Sequence, residues 1–251
     1  MTRRRLDEAL VARGLYPTRS RARDAIKRGT VSVDGIPVTK PAQHVADEAV
    51  IVTADRARIY VSRAALKLKH ALEHFRLSPK GCNCLDIGAS TGGFSEVLLE
   101  QGAHHVTAID VGHGQFAPVL GDDPRVTLWE GLNGRDLELA HLRAPLQFVV
   151  CDASFISLKL VLPRALDLAV PGAHLVALIK PQFEAGRGAL GRDGIVKNEQ
   201  VHRLVCDDIA SWLRAQAWIV IGLVPSPVKG GTGNMEFLIA AEKSACHLLR
   251  T

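Results

Sequence analysis

No apolar run in this 251-residue chain approaches the ~18 residues needed to cross a bilayer; the longest, such as Trp218 to Val224, are strand-sized. A membrane-spanning or pore-forming protein therefore has no support in the sequence. Met1 to Arg5 are basic, but polar residues follow where a secretory peptide would place its apolar core. The five cysteines are few and odd in number, which makes no disulfide framework and points to a reducing, cytosolic compartment. Cys82 and Cys84 form a C-x-C pair with Cys151 on another apolar segment, but no second pair or histidine cluster completes a zinc set, so no metal is expected. There is no G-K-[ST], and the spacing of the glycine-rich stretch at 88–93 departs from G-x-G-x-x-G, so neither a P-loop nucleotidase nor a nicotinamide enzyme is favoured. Internal repeats and low-complexity tracts are absent too.

Hydrophobic residues make up 47% of the chain and aromatic ones only 5%, the composition of an ordinary soluble protein with enough apolar material for a core. Lys and Arg number 31 against 26 Asp and Glu, and the excess is local: residues 1–60 hold 12 against 7, which leaves the rest balanced. A basic segment of that kind suits a domain that sits on a polyanion. Leu6, Ala9 and Leu10 mark a first amphipathic helix ended by Gly14. Thr18 is a candidate N-cap for a second, with Ala22, Ala25 and Ile26 as its apolar face and Gly29 as its stop. V-S-V-D-G-I-P-V then reads as a hairpin turning at Asp34-Gly35. Residues 3–50 resemble the S4-like (αL) RNA-binding module of pseudouridine synthases, tyrosyl-tRNA synthetases and a small-subunit ribosomal protein. That resemblance implies phosphate contacts from Arg3, Arg4, Arg5, Arg19, Arg21, Arg23, Lys27 and Arg28, with Arg63 beyond the linker, and affinity more than sequence choice. Asp7, in R-L-D, is expected to cap a helix or form a salt bridge.

The domain boundary is placed near residue 60, giving an RNA-binding domain with its linker at 1–60 and a second domain at 61–251. A helical pattern begins near Ala65, and the rest alternates between two kinds of element. Strands are expected at 83–87, 105–111, 125–129, 148–151, 174–179, 217–224 and 235–240, with helices at 94–101, 158–169 and 199–216. Near-continuous apolar strands such as L-V-A-L-I belong to a sheet buried on both faces, so the predicted fold is α/β, a Rossmann-like doubly wound sheet with a small N-terminal α+β domain. The first strand of that sheet ends in L-D-I-G-A-S-T-G-G-F. Gly88, Gly92 and Gly93 let the backbone turn close to a ligand, and a helix starting near Phe94 points free N–H groups at it. Asp110, closing the next strand, is placed to accept hydrogen bonds from ribose hydroxyls. D-x-G-x-x-x-G-G-F resembles the first motif of S-adenosylmethionine-dependent methyltransferases. The candidate cofactor contacts are Asp86, Gly88, Ala89, Ser90, Thr91, Gly92, Gly93, Phe94, Asp110, Val111, Asn133 and Asp152.

Four more residues stand at strand ends or in motif-like strings: Lys67 in S-R-A-A-L-K-L, Asp152 in C-D-A-S-F-I-S, Lys180 in I-K-P-Q-F-E and Glu236 in G-N-M-E-F. Their spacing does not show that they converge. They match, one by one, the Lys-Asp-Lys-Glu tetrad of FtsJ-like ribose 2′-O-methyltransferases, and with the N-terminal module nearly the whole chain resembles the TlyA family, historically called hemolysins. The resemblance implies S-adenosylmethionine as cofactor, a cytidine 2′-hydroxyl in ribosomal RNA as target, ribosomal RNA or subunits as partner, and a monomer. It also implies Lys180 as the base, with Lys67 as the neighbouring cation that favours its neutral form and Asp152 and Glu236 holding the two amines. Three alternatives compete. A base methyltransferase would carry N/D-P-P-Y/F where this chain has D-A-S-F, an RNA-binding protein without activity would transfer no methyl group, and a membrane-active hemolysin would leak liposomes.

Overall fold

The computed structural model describes residues 3–245 apart from 187, 189 and 192; the expected limit of the second domain at Thr251 lies outside the described residues. The chain divides into two compact units between Ile59 and Tyr60.

In the first unit, β1 (Arg3–Arg5) leads directly into α1 (Leu6–Ala12), and α2 (Arg19–Lys27) packs on it. Thr18 caps α2 by accepting from Arg21 N, a bond worth about 1 kcal/mol. β2 (Val31–Val33) and β3 (Ile36–Val38) form the expected hairpin, with positive φ at Asp34 (50°) and Gly35 (80°). β4 (His44–Ala46) pairs with β1, and β5 (Ile51–Thr53) pairs with the free side of β2. Leu6, Leu10, Ile26 and Val31 are fully buried at the centre. Asp7 lies there too, salt-bridged to Arg5 at 3.1 Å and Arg19 at 3.2 Å, and caps nothing.

The second unit opens with α3 (Ala64–Phe75), β6 (Asn83–Ile87), α4 (Gly93–Glu100), β7 (His105–Asp110), α5 (Pro118–Gly121), β8 (Val126–Glu130) and β9 (Leu146–Cys151). It continues with α6 (Leu158–Val161), α7 (Pro163–Leu168), β10 (Ala169–Ile179), α8 (Pro181–Glu184), α9 (Glu199–Ala215), β11 (Trp218–Pro225) and β12 (Phe237–Lys243). The single helix expected over 158–169 is two, because Pro163 has no N–H to continue the first and instead starts the second. Seven strands form one sheet in the order β11-β12-β10-β9-β6-β7-β8, parallel except for β12, which runs against both neighbours. Side chains alternate across it. Leu85, Ile87, Val149 and Ala177 face one core, closed by α6, α7 and α9, while Cys84, Phe148, Val150 and Val176 face a second, closed by α3 and α4. Each fully buried Leu or Phe adds roughly 1.5–3 kcal/mol of burial, so the two cores hold the strand tips in fixed register. The order reverses between β6 and β9, and a doubly wound sheet opens a crevice at such a switch point, beyond the carboxyl ends of its strands.

Candidate active site

At that crevice the loop after β6 meets the loop after β9. Gly88 has φ +79°, and a Cβ there would sit 2.9 Å from the Ala153 backbone, so only glycine lets the two loops approach. Its N–H and that of Ala89 both donate to the Ile109 carbonyl, which ties the loop to the tip of β7. Two adjoining clefts of about 550 Å³ each open here and share Gly88, Ser90, Asp152, Ser154 and Phe155.

One cleft is lined by Asp110, Val111, Gln115, Asn133 and Ile156. Asp110 is held from both sides: its Oδ2 accepts from Ser90 N at 2.8 Å and its Oδ1 from Gly112 N at 2.7 Å. Asn133 accepts from Arg135 N, capping the short turn behind it. Ala89, Thr91, Gly93 and Phe94 line the other cleft, with Lys67, Lys180, Gln182 and Glu236.

The four residues that the spacing left apart come together. Lys67 on α3 donates to Glu236 Oε2 at 2.7 Å and lies 3.6 Å from Asp152 Oδ2. Lys180, just past β10, has its Nζ 2.7 Å from Asp152 Oδ1, on the other oxygen of the same carboxylate. That contact is an ion pair without hydrogen-bond alignment; the aligned bonds of Lys180 go to the Asp152 carbonyl at 3.1 Å and to Ser154 Oγ at 2.7 Å. Lys67, Lys180 and Glu236 are buried and Asp152 nearly so. Two ammonium groups against two carboxylates leave the set neutral, which offsets the large cost of taking each charge out of water. Chemically, such a site can hold an amine beside a bound hydroxyl and move a proton at it.

Two of the expected cofactor contacts are elsewhere. Asp86 is fully buried and lines neither cleft, because alternation along β6 turns it with Cys84 toward α4, where Ser95 Oγ donates to its Oδ2 at 2.7 Å. Gly92 turns toward Leu120 and Phe116, which a Cβ would meet at 2.6 and 2.9 Å. Of the basic residues, Arg5 and Arg19 are engaged with Asp7 and Glu8, Arg28 with Asp24 and Asp55, and Arg21 donates to the Ala57 carbonyl. Arg3, Arg4, Arg23 and Lys27 are exposed, and Arg63 is half-buried at the start of α3. Ser154, Gln182, Phe155 and Phe183 were missed as lining residues, although all four stand inside the D-A-S-F-I-S and K-P-Q-F-E strings. Phe155, at φ +65°, is 90% exposed with its ring 5.0 Å from that of Phe183.

A parallel sheet closed by one reversed strand, with its chemistry gathered at the switch point, is the layout of a Rossmann-like methyltransferase. Residues 60–243 match the model of the FtsJ-like methyltransferases and residues 4–51 that of the S4 domain. The chain belongs to the FtsJ-like methyltransferase family, on its TlyA branch. It is 44% identical to the 16S/23S rRNA (cytidine-2′-O)-methyltransferase TlyA of Mycobacterium tuberculosis, over 94% of this chain and 89% of that one. It is 38% identical to Hemolysin A of Brachyspira hyodysenteriae, over 93% of this chain and 98% of the other. A solved structure from Streptococcus thermophilus, provisionally named a hemolysin, superposes with a TM-score of 0.77 at 39% identity, covering 98% of this chain and 90% of its own. Among the described residues, no helix is long and apolar enough to cross a membrane, and no cluster of three or more His, Cys, Asp or Glu could hold a metal.

Proposed function

We propose that this protein methylates the ribose 2′-hydroxyl of a cytidine in ribosomal RNA, using S-adenosylmethionine, as a cytoplasmic monomer acting on ribosomal RNA or subunits. The observation that carries the reading is the buried Lys67, Asp152, Lys180, Glu236 set opening into a cleft that adjoins the one bearing Asp110. The residues present fit the cofactor. A cleft of about 550 Å³ is of ligand size, and Asp110, fixed by two backbone N–H groups, offers a carboxylate to a pair of ribose hydroxyls. The glycine loop, Val111 and Asn133 would complete the binding surface. When bound, S-adenosylmethionine supplies a methyl group on a sulfonium, which departs as a neutral thioether.

The chain's own residues then have a proton to move. A ribose hydroxyl is a poor nucleophile and loses its proton as it attacks, so an amine at the cleft in neutral form is the base; Lys180 is that amine. Asp152 lies between the two lysines and fixes their positions, and Glu236 holds Lys67. The cytidine comes from the similarity to the Mycobacterium tuberculosis enzyme, whose name carries it.

The test is methyl transfer to ribosomal RNA under single-turnover conditions, with the product mapped by mass spectrometry. Lys180→Ala is expected to bind cofactor and lose at least the ~10² to 10⁴ that acid-base catalysis contributes. Lys180→Arg is expected not to recover it, since guanidinium keeps the charge and cannot act as a base. A Lys180→Arg enzyme with most of the wild-type rate overturns the assignment, and a methyl group found on a nucleobase overturns the reaction.

A further inference from the structure

We propose that Ser154 is a positioning residue for Lys180, setting the direction in which the amine presents its lone pair to the substrate hydroxyl. This rests on Lys180 being the base.

Nζ is a tetrahedral nitrogen bonded to Cε, and two of its other three directions are used by hydrogen bonds. Lys180 Nζ donates to Ser154 Oγ at 2.7 Å and to the Asp152 carbonyl at 3.1 Å. Both acceptors lie on the loop after β9, and Ser154 lines both clefts. When the ammonium gives up a proton, the amine keeps two N–H bonds and gains one lone pair. If the two N–H bonds stay with these two oxygens, the lone pair takes a remaining direction of the nitrogen. As the substrate O–H breaks, its proton passes to that lone pair, its electron pair stays on the attacking oxygen, and Nζ becomes an ammonium again. Without the Ser154 hydroxyl, one N–H is left without its acceptor and the amine rotates among orientations, most of which aim the lone pair elsewhere. Lys has a flexible stem, so an external acceptor is what fixes its head.

The loop carrying Ser154 is itself held. Ser157 Oγ and Leu158 N donate to Glu184 at 2.6 and 2.8 Å, and the Phe155 ring rests against Phe183, so the segment after β9 is fastened to the segment after β10 just beyond the Lys180 contact. Asp152 Oδ1, at 2.7 Å, is paired with Nζ by charge and is not in hydrogen-bond alignment with it, so among these oxygens the directed bonds are those to Ser154 and to the Asp152 carbonyl.

The experiment compares Ser154→Ala and Ser154→Thr with wild type and Lys180→Ala, measuring single-turnover methyl transfer at saturating RNA and cofactor, and RNA and cofactor affinities separately. Ser154→Ala should lower the saturated rate by about tenfold to a hundredfold, the orientational share of the ~10² to 10⁴ given by a positioned base, and leave both affinities near wild type. Ser154→Thr should restore most of the rate, because it keeps the hydroxyl and the exposed position has room for a methyl group. Overturning results are a Ser154→Ala enzyme with the wild-type saturated rate, a loss confined to affinity, or a threonine variant as slow as alanine in a folded protein. If Lys180→Ala itself keeps the wild-type rate, the base assignment fails first, and the two failures are told apart by that variant alone.

Discussion

Burial pushes the Asp86 carboxyl up to about 7, and the neighbouring charges of Asp152 and Asp110 add to that, against the opposing hydrogen bond from Ser95. Its Oδ1 has no hydrogen-bond partner among the described residues. A folded-state value raised above the ordinary 3.8 means that folding favours the protonated form. The stability this contributes is complete below about 3.8, falls as pH rises, and is gone above about 7. Asp86→Asn keeps an oxygen for Ser95 and cannot ionise, so its stability relative to wild type should increase across that window and level off beyond it. Thermal melts from pH 4 to 8.5 measure the difference; a gap that stays constant with pH would falsify the account. The turn at the glycine loop was legible in the sequence, and Gly88 and Gly92 take the positive φ it needs, 79° and 93°. The side on which Asp86 falls was not legible, since it depends on which face of β6 receives α4.

Among the elements, α2 shows how one basic stripe divides into two jobs. Arg19 holds the buried Asp7 with Arg5, and Arg28 holds Asp55, whose side chain is only 7% exposed, whereas Arg23 and Lys27 point to solvent. The Arg5 hydrogen bond, helped by Arg19, holds the Asp7 carboxyl below its usual range. Arg19→Ala should therefore lower the melting temperature, costing about 1 kcal/mol because Arg5 stays in place. Arg23→Ala with Lys27→Ala should leave melting unchanged and reduce the slope of log affinity against log salt by about 1 for each phosphate no longer neutralised. The reverse pattern would mean the stripe has been divided wrongly. Pattern alone revealed elements with their own signature: the Asp-Gly hairpin, the capped α2, the apolar parallel strands. It missed the β1–β4 pair, because R-R-R has no alternation to betray a strand and its partner lies some 40 residues on. The convergence of Lys67 and Glu236, 169 residues apart, is likewise a product of sheet topology; family resemblance suggested it and local periodicity could not.

For the whole molecule, charge and chemistry are kept in different units. Residues before Tyr60 carry 12 Lys and Arg against 7 Asp and Glu, and the remainder is balanced, yet among the described residues every one that lines either cleft belongs to the second unit. The second unit also closes both of its cores with its own helices. Affinity for a polyanion and affinity for a small cofactor should then separate on truncation. Cations that neutralise phosphates release counterions, so a protein deprived of its basic unit binds RNA more weakly and with a smaller dependence on salt, whereas a cleft whose charged lining groups are the carboxylates of Asp110 and Asp152 has little of either to lose. Removing residues 1–59 is expected to weaken binding to ribosomal RNA and flatten its salt slope by ~0.7–0.9 for each phosphate left unneutralised, while cofactor affinity measured by calorimetry stays close to that of the full chain. Methyl transfer should fall at low RNA concentration and recover partly as RNA is raised, since the tetrad is intact. A truncated protein that keeps the full salt slope would place the phosphate-binding cations on the second unit, against the distribution of charge in the sequence.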